Sequence, residues 1–562
     1  MGALSAAAAA GVHWPAEARA SGSAILPGTP GTSPGTSPRR QAAEEVFWAD
    51  ARRAAAVGGA LDRAPEELTA WEAGVRIRDG SLGAGELVSA CLERIGRLDG
   101  IYLAFNTVTE AEARSAAAAL DSALAARIGS PHAQEPLGLL HGIPLALKDN
   151  VYTAGIRTTA NAHMFRDFFP SFDATLATRL RGAGSVLVGK TQMGPLATTR
   201  ALTPDGEITT VNAWAPGDPR VSPGGSSSGS ATGVAARMVT TSVGTQTGGS
   251  ITVPASSQGL TGLKPTMGRV SLRGVIPLTY TRDHPGPIAR DARDAALMLQ
   301  VMAGPDPADP RTLGLPPVPD YLSAATPFAG SGQGGGPRGA RIRWPTRLGV
   351  PPGWADAEGP SGDRRRRFLA AMEEGGVTVV EVPPPPGWAE LSSGVFNAGR
   401  LPERSEPFLP WLREDVRLFG VTLSSWIQGL LLSGDEYLKA QRGRMALLRL
   451  ALENLFHQCD AVVQGSHLPF DMIGLPLVTF PIGFREAGDG GGIPGGPLPD
   501  GILIGAPPFG EERLLSLAAL WQARSDHHLR RPSDPAPQDA RRPPASGGRG
   551  RLELDDVASL SQ

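Results

Sequence analysis

Two glycine-rich turns that each carry a serine, together with one lysine upstream of them, are the residues of this sequence best suited to catalysis. The first turn spans residues 224–230 and contains Ser226. The second spans residues 245–250 and ends in Ser250. A serine hydroxyl becomes a strong nucleophile only when a nearby base takes its proton, and Lys148 is a candidate for that base. One lysine and two such serines are what a hydrolase without a histidine base requires.

The positions of the lysine and the glycines indicate how such a site would work. Lys148 can be a base only when neutral, so its surroundings must lower its pKa. The apolar run 143–147 before it predicts a buried strand whose end brings the amine into a desolvated site. Gly248 and Gly249 allow backbone N–H groups to converge beside Ser250, and each donor of such an oxyanion hole is worth about 2.7–4 kcal/mol. Each feature alone is typical of a flexible loop or a solvated strand end, so the combination indicates the enzyme.

Together with their flanks, these residues resemble the amidase signature family. The resemblance rests on Lys-Asp-Asn at 148–150, Gly-Gly-Ser-Ser-Ser-Gly-Ser-Ala at 224–231 and Gly-Thr-Gln-Thr-Gly-Gly-Ser-Ile at 244–251. Further matching segments are 189–191, 262–271, 283–290, 474–476 and the final helix from Glu511. The resemblance covers roughly residues 65–525. It implies an α/β fold, with a large mixed β-sheet covered on both faces by helices.

The resemblance also implies a Ser–cis-Ser–Lys triad that cleaves a carboxamide C–N bond. Ser250 would be the nucleophile that forms the acyl-enzyme, and Lys148 would be the neutral base. Ser226, held by a cis peptide bond after Gly225, would pass the proton between them. Four backbone N–H groups would form the oxyanion hole, those of Thr247, Gly248, Gly249 and Ser250. No cofactor and no metal is implied, and the substrate-binding residues are left open.

Three residues near the triad depart from the family pattern. Gln246 stands where members usually carry aspartate, and Thr252 stands where they usually carry arginine. Because a lone buried charge is costly, the loss of both charges together predicts a neutral hydrogen-bonded contact between the two positions. Asp471 stands where asparagine is common. With the triad intact, we expect an active enzyme whose substrate the sequence does not define.

Several functions remain open at this stage. The first is a stand-alone hydrolase of a small-molecule amide, with a carbamate or an ester as the alternative substrate. The second is a partner-dependent glutaminase chain of the kind found in tRNA-dependent amidotransferases. A catalytically inactive binding relative is disfavoured because all three triad positions are present. His141 and His284 are interpreted as structural, since Lys148 already fills the role of base.

The composition of the chain bears on which kinds of partner it binds and on the cell compartment in which it works. The chain has 562 residues and a formal net charge of −2, which gives no indication of nucleic-acid binding. No apolar run approaches the length of about 18 residues that a membrane span needs. The chain has two cysteines, Cys91 and Cys459, without CxxC or Cys/His spacing, so neither a disulfide framework nor a zinc motif is indicated. We therefore expect a cytoplasmic monomer or homodimer. Export is the alternative, because residues 3–12 are apolar although they lack a basic segment.

The chain is predicted to contain one amidase domain between two disordered ends. Residues 1–40 and 529–562 are rich in residues that bury little surface, so both are predicted to be disordered. The domain would span 41–528, with its signature core at about 140–290 and a flexible link at 329–339. A capping box at Ser433 and Glu436 predicts a helix to Leu455. Asp173 is predicted to cap a helix through Leu180, and residues 270–277 are predicted to form a strand. Four apolar residues before that helix are candidates either for substrate-pocket walls or for plain core packing, namely Trp411, Phe419, Trp426 and Ile427.

Overall fold

The structure is a computed structural model that describes residues 38–59, 62–127, 130–131, 135–329, 339–486 and 497–535. These residues belong to one structural unit. The predicted N-terminal disordered segment lies outside the described residues except for 38–40, where the first helix begins. Most of the link at 329–339 and most of the C-terminal tail also lie outside them.

The first ten helices of the described residues are, in chain order, α1 (Pro38–Val57), α2 (Ala70–Arg78), α3 (Ala84–Tyr102), α4 (Glu110–Arg127), α5 (Thr175–Gly182), α6 (Ser228–Ala235), α7 (Thr252–Ser257), α8 (Ala292–Met302), α9 (Tyr321–Ala324) and α10 (Gly359–Glu374). They continue with α11 (Trp388–Leu391), α12 (Gly394–Asn397), α13 (Arg400–Ser405), α14 (Leu409–Glu414), α15 (Leu423–Leu431), α16 (Gly434–Leu450), α17 (Phe456–Gln458), α18 (Leu468–Met472) and α19 (Glu511–Arg524).

The described strands are β1 (Phe105–Val108), β2 (Pro144–Lys148), β3 (Val186–Thr191), β4 (Thr241–Gln246), β5 (Thr261–Lys264), β6 (His284–Ala289), β7 (Phe328–Ala329), β8 (Ala340–Arg341), β9 (Arg347–Val350), β10 (Thr378–Glu381), β11 (Ala461–Val463), β12 (Leu477–Arg485) and β13 (Leu498–Gly505). Eleven of them form one sheet in the order β1-β3-β2-β4-β6-β5-β12-β13-β11-β9-β10. The pairs β2–β3, β2–β4, β9–β10 and β9–β11 are parallel and the other pairs are antiparallel. The predicted large mixed sheet is therefore confirmed.

The central strands are buried on both faces. Every residue of β2, β3, β4 and β6 is buried. Because successive side chains of a strand point to opposite faces, complete burial means that both faces of the sheet are covered. The predicted apolar strand that ends in Lys148 is thus present as β2.

Some local predictions were wrong for identifiable reasons. The segment 270–277, predicted as a strand, makes only isolated bridges at Val270 and Val275. Asp173 does not cap α5, because its carboxylate accepts the amide hydrogen of Ala154 instead. The capping box of Ser433 and Glu436 is confirmed, and a π-helical segment carries α16 on to Leu455.

The start of the C-terminal tail, predicted to be disordered from residue 529, packs against the domain. Asp534 accepts hydrogen bonds from both terminal nitrogens of Arg94, whose side chain is almost fully buried in α3. An ion pair of this kind holds residues 530–535 in place, so the tail was predicted to begin too early. The rest of the tail lies outside the described residues.

Within the described residues, no single helix has both the length and the apolarity to cross a bilayer. The segments Val416–Leu431 and Gly434–Gln458 meet those criteria only as a pair bent by 96°.

Candidate active site

The lysine and the second serine turn come together because of the order of two parallel strands. β2 ends at Lys148, and its neighbour β4 ends at Gln246. The two strands are in parallel register, with Leu147 opposite Val243. Because parallel strands end at the same edge of a sheet, the lysine amine and the turn that follows β4 lie on one edge.

Lys148 is fully buried and contacts the first serine. Its Nζ lies 2.7 Å from Ser226 Oγ, 2.9 Å from Thr245 Oγ1 and 3.2 Å from the Thr245 carbonyl oxygen. Burial lowers the pKa of Lys148 to about 7, although the charge of Asp283 opposes the shift. A substantial fraction of this lysine is therefore neutral near neutral pH, as its place at the end of an apolar run predicted.

The partners of Lys148 indicate the direction of its hydrogen bonds when it is neutral. A neutral amine has two hydrogens and one lone pair. The Thr245 carbonyl can only accept, and Thr245 Oγ1 lies 2.9 Å from Nζ as a second acceptor. Asn150 Nδ2 also donates to Thr245 Oγ1, 3.1 Å away. If both hydrogens of the amine go to Thr245, its lone pair is left to accept the hydroxyl hydrogen of Ser226.

In the first serine turn, Ser226 makes different contacts from the other serines. The peptide bond between Gly225 and Ser226 is cis, as the family resemblance implied. Ser227, Ser228 and Ser230 each use their hydroxyls in hydrogen bonds to backbone groups. Ser226 is fully buried and is the serine of this turn that reaches the lysine.

Two buried side chains, an aspartate and an arginine, hydrogen-bond to the second turn. Thr247 Oγ1 donates to Asp283, and Arg282 Nη2 donates to the Thr247 carbonyl at 3.1 Å. Burial raises the pKa of Asp283, while the hydrogen bond from Thr247 opposes that shift. Ser250 is 5% exposed, and its hydroxyl has no hydrogen-bond partner among the described residues. The turn is thus held rigidly while the predicted nucleophile is left unbonded.

One predicted oxyanion donor is already engaged. The Gly249 amide donates to Asp471 Oδ2 at 2.8 Å, so its predicted inclusion in the oxyanion hole is corrected by the structure. The carboxylate that takes this amide belongs to Asp471, a position far away in sequence. In the part of the chain that the structure describes, the amides of Thr247, Gly248 and Ser250 have no hydrogen-bond partner.

The three residues that depart from the family pattern form one network. Gln246 Oε1 accepts the amides of Ile251 and Thr252, at 2.8 and 2.9 Å, and lies 3.2 Å from Thr252 Oγ1. The predicted neutral contact between Gln246 and Thr252 is therefore confirmed. Gln246 Nε2 donates to Asp471 Oδ1 at 2.7 Å, and Lys264 Nζ lies 3.9 Å from that oxygen. A negative charge is therefore still present near the turn, at position 471.

His467 is a site residue that was not predicted from the sequence. Its Nδ1 lies 2.7 Å from Asp471 Oδ2, one helical turn away. That spacing of four residues was a usable signal, because such residues share a helix face.

Of the two histidines that were predicted to be structural, His284 pairs with Gln246 across β4 and β6, whereas His141 lies away from the site. His284 donates from Nδ1 to the Arg282 carbonyl at 2.6 Å, and burial lowers its pKa well below its usual value. His141 precedes β2, at the end opposite Lys148, and burial also lowers its pKa. Both neutral histidines fit the structural role that was predicted.

The aromatic residues that were candidates for pocket walls form a packed cluster. Phe419 and Trp426 are almost fully buried and contact each other, with ring centroids 5.7 Å apart. Phe408 packs against both and against Trp411. Ile427 is 36% exposed. The contacts of Phe419 and Trp426 therefore favour core packing over the alternative of pocket walls.

Comparison with known proteins places this geometry in a family. The family model named Amidase matches residues 86–470. The A subunit of the glutamyl-tRNA(Gln) amidotransferase of Moorella thermoacetica is 33% identical over 518 residues, covering 83% of this chain and 98% of that protein.

Two solved structures give the same result. The native peptide amidase from Stenotrophomonas maltophilia aligns with a TM-score of 0.65 and 28% identity, covering 83% of this chain and 97% of its own. An inhibitor-bound complex, described as vestigial and as revealing the origins of an s-triazine catabolic enzyme, aligns with a TM-score of 0.67 and 29% identity. It covers 81% of this chain and 98% of its own. On its sequence and its fold, this chain belongs to the amidase family.

Proposed function

We propose that this protein is an amidohydrolase that cleaves a carboxamide through an acyl-enzyme on Ser250. Ser226 passes its hydroxyl proton to neutral Lys148 and takes the proton of Ser250, whose oxygen attacks the carbonyl carbon. The proton then returns through Ser226 to the leaving amine as the C–N bond breaks. Water attacks the acyl-enzyme, releasing the carboxylic acid and restoring Ser250. No group outside the chain is needed for this proton transfer.

The contact between Lys148 and Ser226 is the observation that carries the proposal. Both side chains are fully buried, and their polar atoms lie 2.7 Å apart. A lysine on a protein surface stays protonated at neutral pH and cannot act as a base, whereas this one has a pKa of about 7. A general base is most effective when its pKa lies near the working pH.

The oxyanion would be stabilised by the unbonded amides of the second turn. Thr247, Gly248 and Ser250 supply these donors, and the Gly249 amide holds the turn to Asp471 instead. Hydrogen bonds to Asp283 and from Arg282 hold Thr247 in place. The donors therefore need little reorganisation when charge develops on the substrate oxygen.

A serine-directed fluorophosphonate probe tests the nucleophile. The probe should label Ser250 in the intact chain, and Ser250→Ala should abolish labelling. Ser256→Ala is the matched control, since Ser256 lies six residues further along in α7 and should leave labelling unchanged. Labelling that survives in Ser250→Ala would refute the assignment. A panel of amides, carbamates and esters of one acid would then rank the substrate classes.

A second candidate is a glutaminase chain that acts with a partner. It is favoured by the relatives named as A subunits of glutamyl-tRNA(Gln) amidotransferases, which this chain matches over nearly their full length. Ammonia release from glutamine by the isolated chain, compared with turnover of a simple aryl amide, separates the two. Amide turnover by a chain that elutes alone in size-exclusion chromatography supports the stand-alone enzyme. Activity only on glutamine, and only with an added partner, supports the alternative.

A further inference from the structure

An imidazole and a carboxylate form a pair beside the nucleophile turn, and this pair has no part in the proposed proton transfer. His467 immediately precedes α18, and Asp471 lies inside that helix. Their side chains meet at 2.7 Å, between Nδ1 and Oδ2. The same Oδ2 accepts the Gly249 amide, so one carboxylate oxygen links the histidine to the residue before Ser250.

The carboxylate fixes which nitrogen of His467 carries the hydrogen. Asp471 is fully buried, which by itself would raise its pKa, but the hydrogen bond from His467, the nearby charge of Lys264 and the hydrogen bond from Gln246 hold the pKa below its usual value. An ionised carboxylate only accepts hydrogen bonds, so Nδ1 of His467 must be the donor. In the neutral ring Nε2 is then an acceptor, and its direction is set by Asp471.

The acceptor nitrogen lies against the catalytic turn. A methyl group placed on Gly249 would come within 2.7 Å of His467 Nε2, so the ring edge occupies the space next to that residue. Gly249 also has a φ of +79°, which favours glycine. The His467 side chain is 27% exposed, and Nε2 has no hydrogen-bond partner among the described residues.

We propose that His467 is a substrate-binding residue that accepts a hydrogen bond from the N–H of an amide substrate, with Asp471 as its positioning residue. The inference rests on the proposed function, because the substrate carbonyl must be bound by the same turn. The unbonded turn amides donate only and therefore recognise the carbonyl oxygen, which amides and esters share. An acceptor beside them responds to the N–H, which esters lack. The pair thus selects carboxamides that carry an N–H, primary amides above all.

The test compares kcat/KM for a primary aryl amide with kcat/KM for the methyl ester of the same acid. His467→Asn keeps a donor for Asp471 but has no atom at the place of Nε2, and it should lower the amide-to-ester ratio about tenfold. His467→Gln places an acceptor near that position and should restore part of the ratio. Because both substrates are measured on one preparation, a loss of folded protein changes both equally and leaves the ratio unaffected.

The matched control is His163→Asn. His163 also pairs with a carboxylate, 3.0 Å from Asp205, and is 31% exposed. Its replacement should leave the ratio unchanged. An unchanged ratio in His467→Asn would overturn this inference while leaving the proposed function intact. Failure of the wild-type chain to turn over either substrate, together with absent labelling of Ser250, would overturn the proposed function and this inference with it.

Discussion

Lys148 Nζ and Ser226 Oγ lie 2.7 Å apart at the end of β2, and both side chains are shielded from solvent. A charged ammonium at this position would lack a carboxylate within ion-pair distance among the described residues. Thr245 supplies only neutral acceptors to the amine. This environment favours the uncharged lysine, which has consequences for both rate and stability.

The rate should rise with pH through the pKa of the lysine. We expect the acid limb of kcat/KM to have an apparent pKa near 7, the value to which burial lowers Lys148. Lys148→Met should lower kcat by about 10²–10⁴-fold, the usual contribution of a general base. Because the triad acts as one unit, adding Ser226→Ala should cost little more. A rate–pH profile with no acid limb between about pH 5 and 9 would contradict this role.

Stability should also change with pH, and in a direction that the lysine fixes. Between about pH 7 and the unfolded pKa of about 10.4, the unfolded chain holds a proton that folded Lys148 does not. The free energy of unfolding of the wild type should therefore rise with pH in this window, by up to about 1.4 kcal/mol per pH unit from this group. Lys148→Met should lack this contribution.

Urea unfolding of both proteins at several pH values measures that difference. Taking the difference between wild type and Lys148→Met cancels the other titrating groups. A difference that stays constant from about pH 7.5 to 9.5 would show that folded Lys148 keeps its proton.

Replacing Gln246 by Glu or Asp471 by Asn alone should destabilise the protein, whereas making both replacements together should not. Gln246→Glu places two carboxylates face to face, and Asp471→Asn turns a donor toward the Gln246 amide. Each single change should cost on the order of a few kcal/mol, because both side chains are fully buried. The double variant reverses donor and acceptor and keeps every hydrogen bond. A double-mutant cycle by urea unfolding measures the recovery, and additive losses would show that the positions are independent.

Thr247 should affect the rate more than the fold. Thr247→Val keeps the shape of the side chain but removes the hydroxyl that donates to Asp283. With the turn less well fixed, we expect kcat to fall by about tenfold or more, since a single oxyanion donor is worth about 10²–10³-fold. The control is Thr326→Val, which removes a buried hydroxyl that donates to the Leu322 carbonyl. Equal kcat values for the two variants would show that the Thr247 hydroxyl has no specific effect on catalysis.

The parts of the site that the sequence predicted are those set by local chemistry. The apolar run before Lys148 predicted a buried strand that ends in the lysine, and β2 is that strand. The cis peptide bond before Ser226 was implied by the family resemblance, and it lies between Gly225 and Ser226. The Gln246–Thr252 contact was also predictable, because the two residues are six apart and lost their charges together.

The parts that the sequence did not predict depend on contacts distant in the chain. The Gly249 amide was assigned to the oxyanion hole on the family resemblance, and no residue nearby in sequence indicated another partner for it. Asp471, 222 residues away, takes it in the fold. The contact between Arg94 and Asp534 was not predicted for the same reason, because 440 residues separate the two. Segment 270–277 had the composition of a strand, but among the described residues it has only isolated bridges.

The link between Asp471 and the second turn also sets the order in which activity can appear during synthesis. Lys148, both serine turns and Asp283 are all synthesised before residue 290, but a domain generally folds as one unit. The carboxylate that fixes Gln246 and Gly249 follows more than 180 residues later, counted from residue 290 to residue 471. A nascent chain of 290 residues therefore contains the residues predicted as nucleophile and base but lacks the carboxylate that holds the second turn. We expect efficient hydrolysis only once residue 471 has been synthesised and the whole domain has folded.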